Sequence, residues 1–139
     1  MKIVVNTNIL LDLFLDRKLF SDEAAELISL IDSGSLEGAL VATTVTTIHY
    51  FLEKYLDTKQ ALKILNRLCG IFEILPVNRN VIEMALSSKL PDFEGAIIHE
   101  AACLSGAQTI ITRNAKHFKK SGLAVHSAKE FLSIIEKNT

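Results

Sequence analysis

Three stretches of this chain carry side chains that could hold a hard cation or meet a phosphate. They are "NTN" at 6–8, "PDFEG" at 91–95 and "TRNAKHFKK" at 112–120. Asp92 and Glu94 are carboxylates, able to accept a proton or bind a cation with charge. The amide oxygens of Asn6 and Asn114 can ligate magnesium, but they bring no charge and cannot act as a general base. Arg113, Lys116, Lys119 and Lys120 fall within eight residues that contain no acid. Such a cluster reads as a local phosphate surface, the plain alternative being a solvated loop.

The elements between these stretches decide whether they can meet. The branched apolar run at 2–5 predicts a buried strand, and Thr7 or Asn8 can cap a helix over 9–15. Ser21 with Asp22 and Glu23 opens a second helix, with Ala24, Leu27, Ile28 and Ile31 on one face and Gly34 as its stop. Strands follow at 38–42, 72–77, 108–112 and 123–126, and helices at 43–55, 59–68, 81–89, 92–104 and from Ala128 onward. Short apolar strands alternating with amphipathic helices imply an α/β fold: a mostly parallel sheet of four to five strands covered on both faces. Ligand sites in such sheets lie beyond the carboxyl ends of the strands. That rule selects residues 6–8, 42–47, 76–78 and 112–114. Helix starts at Thr7 and Asp92 add backbone amides that attract anions.

The totals bound the rest. A chain of 139 residues fits one domain over 1–139. Fifteen basic residues against 16 acidic leave a net charge of −1, so attraction to nucleic acid or membrane must be local. The two cysteines, Cys69 and Cys103, are far apart in sequence, and no signal peptide precedes Lys2, which points to a reduced cytoplasmic setting. No apolar run approaches the ~20 residues that span a bilayer.

Four segments resemble the PIN domain family: "VVNTNILLDLFL", "ATTVTTIHYFL", "LPDFEGAIIHEAACLSGAQTIITRNAKHF" and "AVHSAKEFL". Together they cover nearly the whole chain, and the late motif is similar to the branch that reads Thr-Arg-Asn before Lys-Asp-Phe. The resemblance implies a three-layer α/β sandwich and a metal-dependent ribonuclease, often the toxin of a toxin-antitoxin pair, with a homodimer and an antitoxin among the partners. It implies a carboxylate cluster holding Mg2+ or Mn2+ against an RNA phosphodiester. The resemblance places family carboxylates at Asn6 and Asn114, and Asp92 and Glu94 are the only acids left in the motif region, so the expected catalytic positions are Asn6, Asp92 and Asn114 and the expected metal positions Asn6, Asp92 and Glu94. From strand-end position and local charge, the expected substrate contacts are Thr7, Asn8, Arg113, Lys116, Lys119 and Lys120.

Three departures from the family pattern stand out. Asn6 replaces the first carboxylate, Gly95 the third, and His117 the aspartate of Lys-Asp-Phe. The second family carboxylate falls near Thr47. Magnesium is held by carboxylates and water, so this set predicts weak or absent nuclease activity. The alternative is a non-catalytic module that binds RNA or protein through the same cleft.

Other features have plainer readings. "HEAAC" at 99–103 approaches a zinc-peptidase pattern, but His99 and Cys103 are two ligands where zinc wants three or four, so Cys103 is expected in the core. His49 is expected to pack or cap, and Asp12 to face solvent or support the site. Capping should absorb one or two of Thr43, Thr44, Thr46 and Thr47, and Asn78 should mark a turn. Lys59, Lys63 and Arg67 form an exposed basic stripe. A phosphoryl-receiver reading fails for want of an acidic pair after the first strand, and no glycine-rich nucleotide motif occurs.

Overall fold

Branched residues without polar alternation belong in a strand buried on both sides, and Ile3, Val4 and Val5 are fully buried at the centre of the sheet. The computed structural model describes residues 1–119 and 121–138. In chain order it runs β1 (Lys2–Val5), α1 (Thr7–Phe14), α2 (Ser21–Asp32), β2 (Glu37–Val41), α3 (Ala42–Tyr55), α4 (Thr58–Ile71), β3 (Glu73–Leu75) and α5 (Arg79–Leu86). Then come α6 (Phe93–Ser105), β4 (Thr109–Ile111), a 3-10 turn (Ala115–Phe118), β5 (Ala124–His126) and α7 (Ala128–Lys137). The five strands are all parallel, in the order β3-β2-β1-β4-β5.

Alternation along β1 divides the core. Ile3 and Val5 join Leu10, Leu27, Ile48, Leu52, Leu68 and Phe131, from α1 to α4 and α7. Val4 joins Val81, Ala85, Ala96, Ile98 and Ala102, from α5 and α6. The expected α/β sandwich is therefore present. Truncating Ile48 or Leu52, both fully buried, costs about 2 to 5 kcal/mol. Packing is tight enough to demand glycine in β2: a Cβ at Gly38 would lie 2.7 Å from the Ile31 side chain and 3.0 Å from Phe72.

From β1 the chain winds outward to β3 with α1 to α4 on one face, then returns through α5 and α6 on the other to β4, across β1 from β2. Connections diverge between β1 and β4. A ligand crevice is expected at their carboxyl ends.

Local chemistry corrects several expected boundaries. Asn6, rather than Thr7 or Asn8, caps α1, its Oδ1 accepting from Thr7 N at 2.7 Å. Asn78 does more than mark a turn, because its Oδ1 accepts from Val81 N at 3.1 Å and opens α5 at Arg79. Asp92 stands outside α6 as its cap. The strand expected at 72–77 shortens to Glu73–Leu75, ahead of Pro76, which has no N–H to donate. None of the four threonines caps α3 through its side chain. Val41 is the cap residue, and Thr46 and Thr47 hydroxyls donate back to the Thr43 carbonyl at 2.9 and 3.0 Å.

Candidate functional site

The register of β1 against β4 sets "NTN" beside "TRN". Val5 pairs with Ile111, and Asn6 N donates to Ile111 O at 2.9 Å. Thr112 joins the two segments. Its buried hydroxyl oxygen receives Asn6 Nδ2 at 2.8 Å, Asn8 Nδ2 at 3.3 Å and Asn114 N at 3.0 Å. Asn8 Oδ1 in turn accepts from Arg113 N at 3.3 Å. The Thr7 N–H fixes the orientation of the Asn6 amide, since only its oxygen can accept. An aspartate at 6 would cap α1 equally well, yet it could not donate to Thr112. Asn6 therefore closes the strand end with neutral groups alone.

A cleft of about 190 Å³ opens there, lined by Asn6, Thr7, Asn8, Asp92, Glu94, Gly95, Asn114 and His117, with Leu11, Thr47 and Phe51. The expected catalytic and metal positions thus share one wall with Thr7 and Asn8. Asp92 Oδ2 accepts from Gly95 N at 2.9 Å, which satisfies a free amide at the start of α6 and suits the helix dipole. Glu94 reaches across, its Oε1 accepting from the Thr7 hydroxyl at 3.2 Å. Thr7 Oγ1 also lies 3.3 Å from Thr44 Oγ1, and Thr44 is fully buried.

This donor set is depleted for a divalent cation, with two carboxylates, Asp92 and Glu94, where the family pattern has more. Among the described residues no group of three or more His, Cys, Asp or Glu side chains could hold a metal ion. Asp92 and Glu94 each already spend an oxygen on the protein, and Asn6 spends its only one. A Cβ at Gly95 would lie 3.2 Å from Asp92 Oδ2 and at ordinary contact distance, 3.4 Å, from Phe118 Cζ, so a side chain there needs only a small shift of Asp92.

The basic stretch divides. Arg113 does not line the cleft: its Nε donates to Asp12 Oδ2 at 2.7 Å and its guanidinium lies 4.2 Å from the Phe20 ring centre. It lines a separate cavity of about 370 Å³ with Asp12, Phe20 and Lys129. Lys116 and Lys119 are exposed and do not line the cleft, while Lys120 lies outside the described residues.

Of the two roles expected for Asp12, facing solvent or supporting the site, the first is corrected. The residue is fully buried, held by Arg113 and, at 3.3 Å, by Arg17 Nη1. Its sequence signal was weak because its main partner is 101 residues away. Thr112 was recognisable only as a strand end. Nothing in its local sequence marks it as the acceptor for three donors.

Cys103 is also corrected, from core to exposed, because α6 buries Ala96, Ile97, Ile98, Ala101 and Ala102 instead. Its Sγ lies 3.7 Å from His99 Nε2. Burial, then the nearby Glu100 carboxylate, push the thiol up, so it is not an activated nucleophile. His49 is half-buried and pairs with Glu53 at 2.8 Å. Lys59, Lys63 and Arg67 are exposed, as expected of a basic stripe.

A doubly wound α/β protein with a small polar cleft between β1 and β4 is what sheet order and side chains define. The sequence matches the PIN domain family over residues 2–116, and the chain belongs to that family. It is 24% identical over 135 residues to Ribonuclease VapC1 of Aquifex aeolicus (strain VF5), covering 94% of this chain and 92% of that one. Its fold is similar to VapBC2 from Rickettsia felis bound to a DNA fragment from the promoter, with TM-score 0.68, 17% identity, and coverage of 91% of this chain and 98% of that one. A toxin-antitoxin complex from Klebsiella pneumoniae matches with TM-score 0.68 and 24% identity over 90% of this chain and 96% of that one. No helix among the described residues is long and apolar enough to cross a membrane.

Proposed function

We propose that this protein is a VapC-like member of a ribonuclease family, a toxin-antitoxin toxin by descent, whose RNA-facing cleft is the one at Asn6, Asp92, Glu94, Asn114 and His117. In this chain the cleft cleaves RNA weakly or not at all. One observation carries the reading: the cleft keeps two carboxylates, both engaged by the protein, and has an amide at Asn6 and no side chain at Gly95. The similarity to Ribonuclease VapC1 supports RNA as the substrate class, and the toxin-antitoxin complexes of the same fold support an antitoxin partner. A cytoplasmic setting and a homodimer belong to the same reading.

The test is cleavage of a panel of RNAs with Mg2+ or Mn2+ by the natural chain, Asn6→Asp, and the Asn6→Asp, Gly95→Asp double variant. The natural chain should be nearly silent and the double variant the most active. Strong cleavage by the natural chain would overturn the depleted site. Silence from both restored forms would remove the nuclease reading.

The same depletion favours a second reading, a non-catalytic module that holds RNA or protein in the cleft. It expects RNA binding without metal, weakened by salt and by Lys119→Glu with Lys120→Glu, since each phosphate contact releases counterions. Unchanged binding in that double variant would exclude the loop.

A further inference from the structure

The cavity of about 370 Å³ beside Arg113 is large enough for a small ligand, a range that begins near 300 Å³. It shares a wall with the cleft. Along α1, Asn8 and Leu11 line the cleft while Ile9 and Asp12 line the cavity, and at the far boundary Asn114 lines the cleft while Arg113 lines the cavity. A strand crossing the 113–114 corner therefore meets both recesses.

The chemistry of the cavity suits a nucleotide. Each Asp12 oxygen is taken by an arginine, Oδ1 by Arg17 Nη1 and Oδ2 by Arg113 Nε, so this acid orients a guanidinium and presents no open anion. Phe20 fixes the guanidinium from another side, 4.2 Å from its ring centre. Among the described residues the Nη groups of Arg113 meet no acceptor, and exposed Lys129 has no ion-pair partner. Lys129 also stands in the first turn of α7, at the positive end of that helix. Two cations with N–H groups to spare match the several oxygens of a phosphate. The rim is apolar: Leu19 is 82% exposed and Phe20 38%, a surface on which a planar base can lie. Glu23 is the one lining acid without a partner, and it opposes an anion.

From this geometry we infer that the cavity is a subsite for one nucleotide of an RNA strand held in the cleft, with its phosphate on Arg113 and Lys129 and its base against Leu19 and Phe20. The inference rests on the RNA reading given above and adds a second point of attachment, which positions the strand without acting on it.

The test is fluorescence anisotropy of a short, unstructured, labelled RNA on the full chain, in chelator so that no cleavage intervenes. Lys129→Ala should lower the slope of log affinity against log salt by about 0.7, the value for one phosphate of a single strand. Phe20→Ala should weaken binding roughly fivefold or more and Phe20→Tyr should restore it, as loss and return of a stacked base would. Glu23→Gln should strengthen binding, a gain that a merely structural residue would not give. Adenosine 5′-monophosphate should compete only weakly; competition as strong as that of the RNA would assign the cavity to a free nucleotide and overturn the subsite. Circular dichroism on each variant separates a lost site from a lost fold. RNA binding that falls in Asn114→Ala but is unchanged in folded Lys129→Ala and Phe20→Ala would overturn the subsite and leave the RNA reading standing. No RNA binding by the natural chain, with or without Mg2+, would overturn both.

Discussion

Two polar clusters flank the β1–α1 junction, and they solve the same electrostatic problem in opposite ways. Behind the junction, Asp12 keeps a full charge out of water by holding two arginines, Arg113 at 2.7 Å and Arg17 at 3.3 Å. In the cleft, where the family pattern would gather carboxylates, the strand end is closed by Asn6, Asn8 and Thr112 without any formal charge. A buried carboxylate survives in this fold where the chain itself brings the counter-charge. Where an external cation would have to bring it, the acids at 6 and 95 are missing. The comparison also explains Arg113, whose place in the sequence suggests phosphate and whose contacts bind it to Asp12.

The largest effect should come from breaking the charged cluster. Asp12→Ala leaves two arginines facing a site built for an anion, and should cost about 3 kcal/mol, the low end for breaking a buried pair because both arginines also reach solvent. A urea midpoint reads it. A loss within experimental error would show that the cluster is held by solvent and not by pairing. Arg113→Ala should cost somewhat less, about 2 kcal/mol, since Arg17 still pairs with Asp12.

In the cleft the expected changes are smaller and depend on metal. Gly95→Asp should cost about 1 kcal/mol, because its Cβ lies 3.2 Å from Asp92 Oδ2 and its carboxylate joins those of Asp92 and Glu94 in the cleft. Adding Asn6→Asp to Gly95→Asp brings a fourth carboxylate into the cleft beside Asp92 and Glu94, so the double variant should lose stability in chelator and regain it as Mn2+ is added, by mass action. The natural chain should unfold at the same temperature with or without Mn2+ at the cleft. Equal Mn2+ responses in both proteins would erase the distinction between the clusters. Asn6→Asp alone should change stability by less than about 1 kcal/mol, as aspartate caps a helix as well as asparagine does and the Thr112 hydroxyl can turn to donate.

The smallest effect lies at α7, where Ser127 and Glu130 form a capping box. Backbone and then side-chain hydrogen bonds from Ser127 hold the Glu130 carboxyl below its ordinary value. A lowered folded-state value means the contribution is present above the unfolded pKa and is lost as pH falls through the folded one. Ser127→Ala should cost about 1 kcal/mol near neutrality and less in acid. A difference that grows on acidification would reverse the assigned sign.

Much of the architecture could be read from local pattern. The branched run at β1 and the helical period of α2 and α7 follow from short-range preferences, and the strand-end rule selected the neighbourhood of Asn6 and Thr112 before any contact was visible. What escaped the sequence depends on packing across long separations. The i, i+4 spacing of His99 and Cys103 puts them on one face without saying which way that face turns, and the buried stripe of Ala101 and Ala102 decides it. For Asp12 a solvent-facing place and a supporting one stayed equally open in the sequence, because its main counter-ion lies in the last third of the chain. Asn78 was undervalued for the opposite reason: its capping bond is local, but a turn and a cap use the same residue types.

The bond from Asn6 to Thr112 spans 106 residues. Because β1 must wait for β4, a chain emerging from the ribosome carries its first site segment long before the second exists. The cleft is then a late product of synthesis, absent from the nascent chain until β4 has emerged.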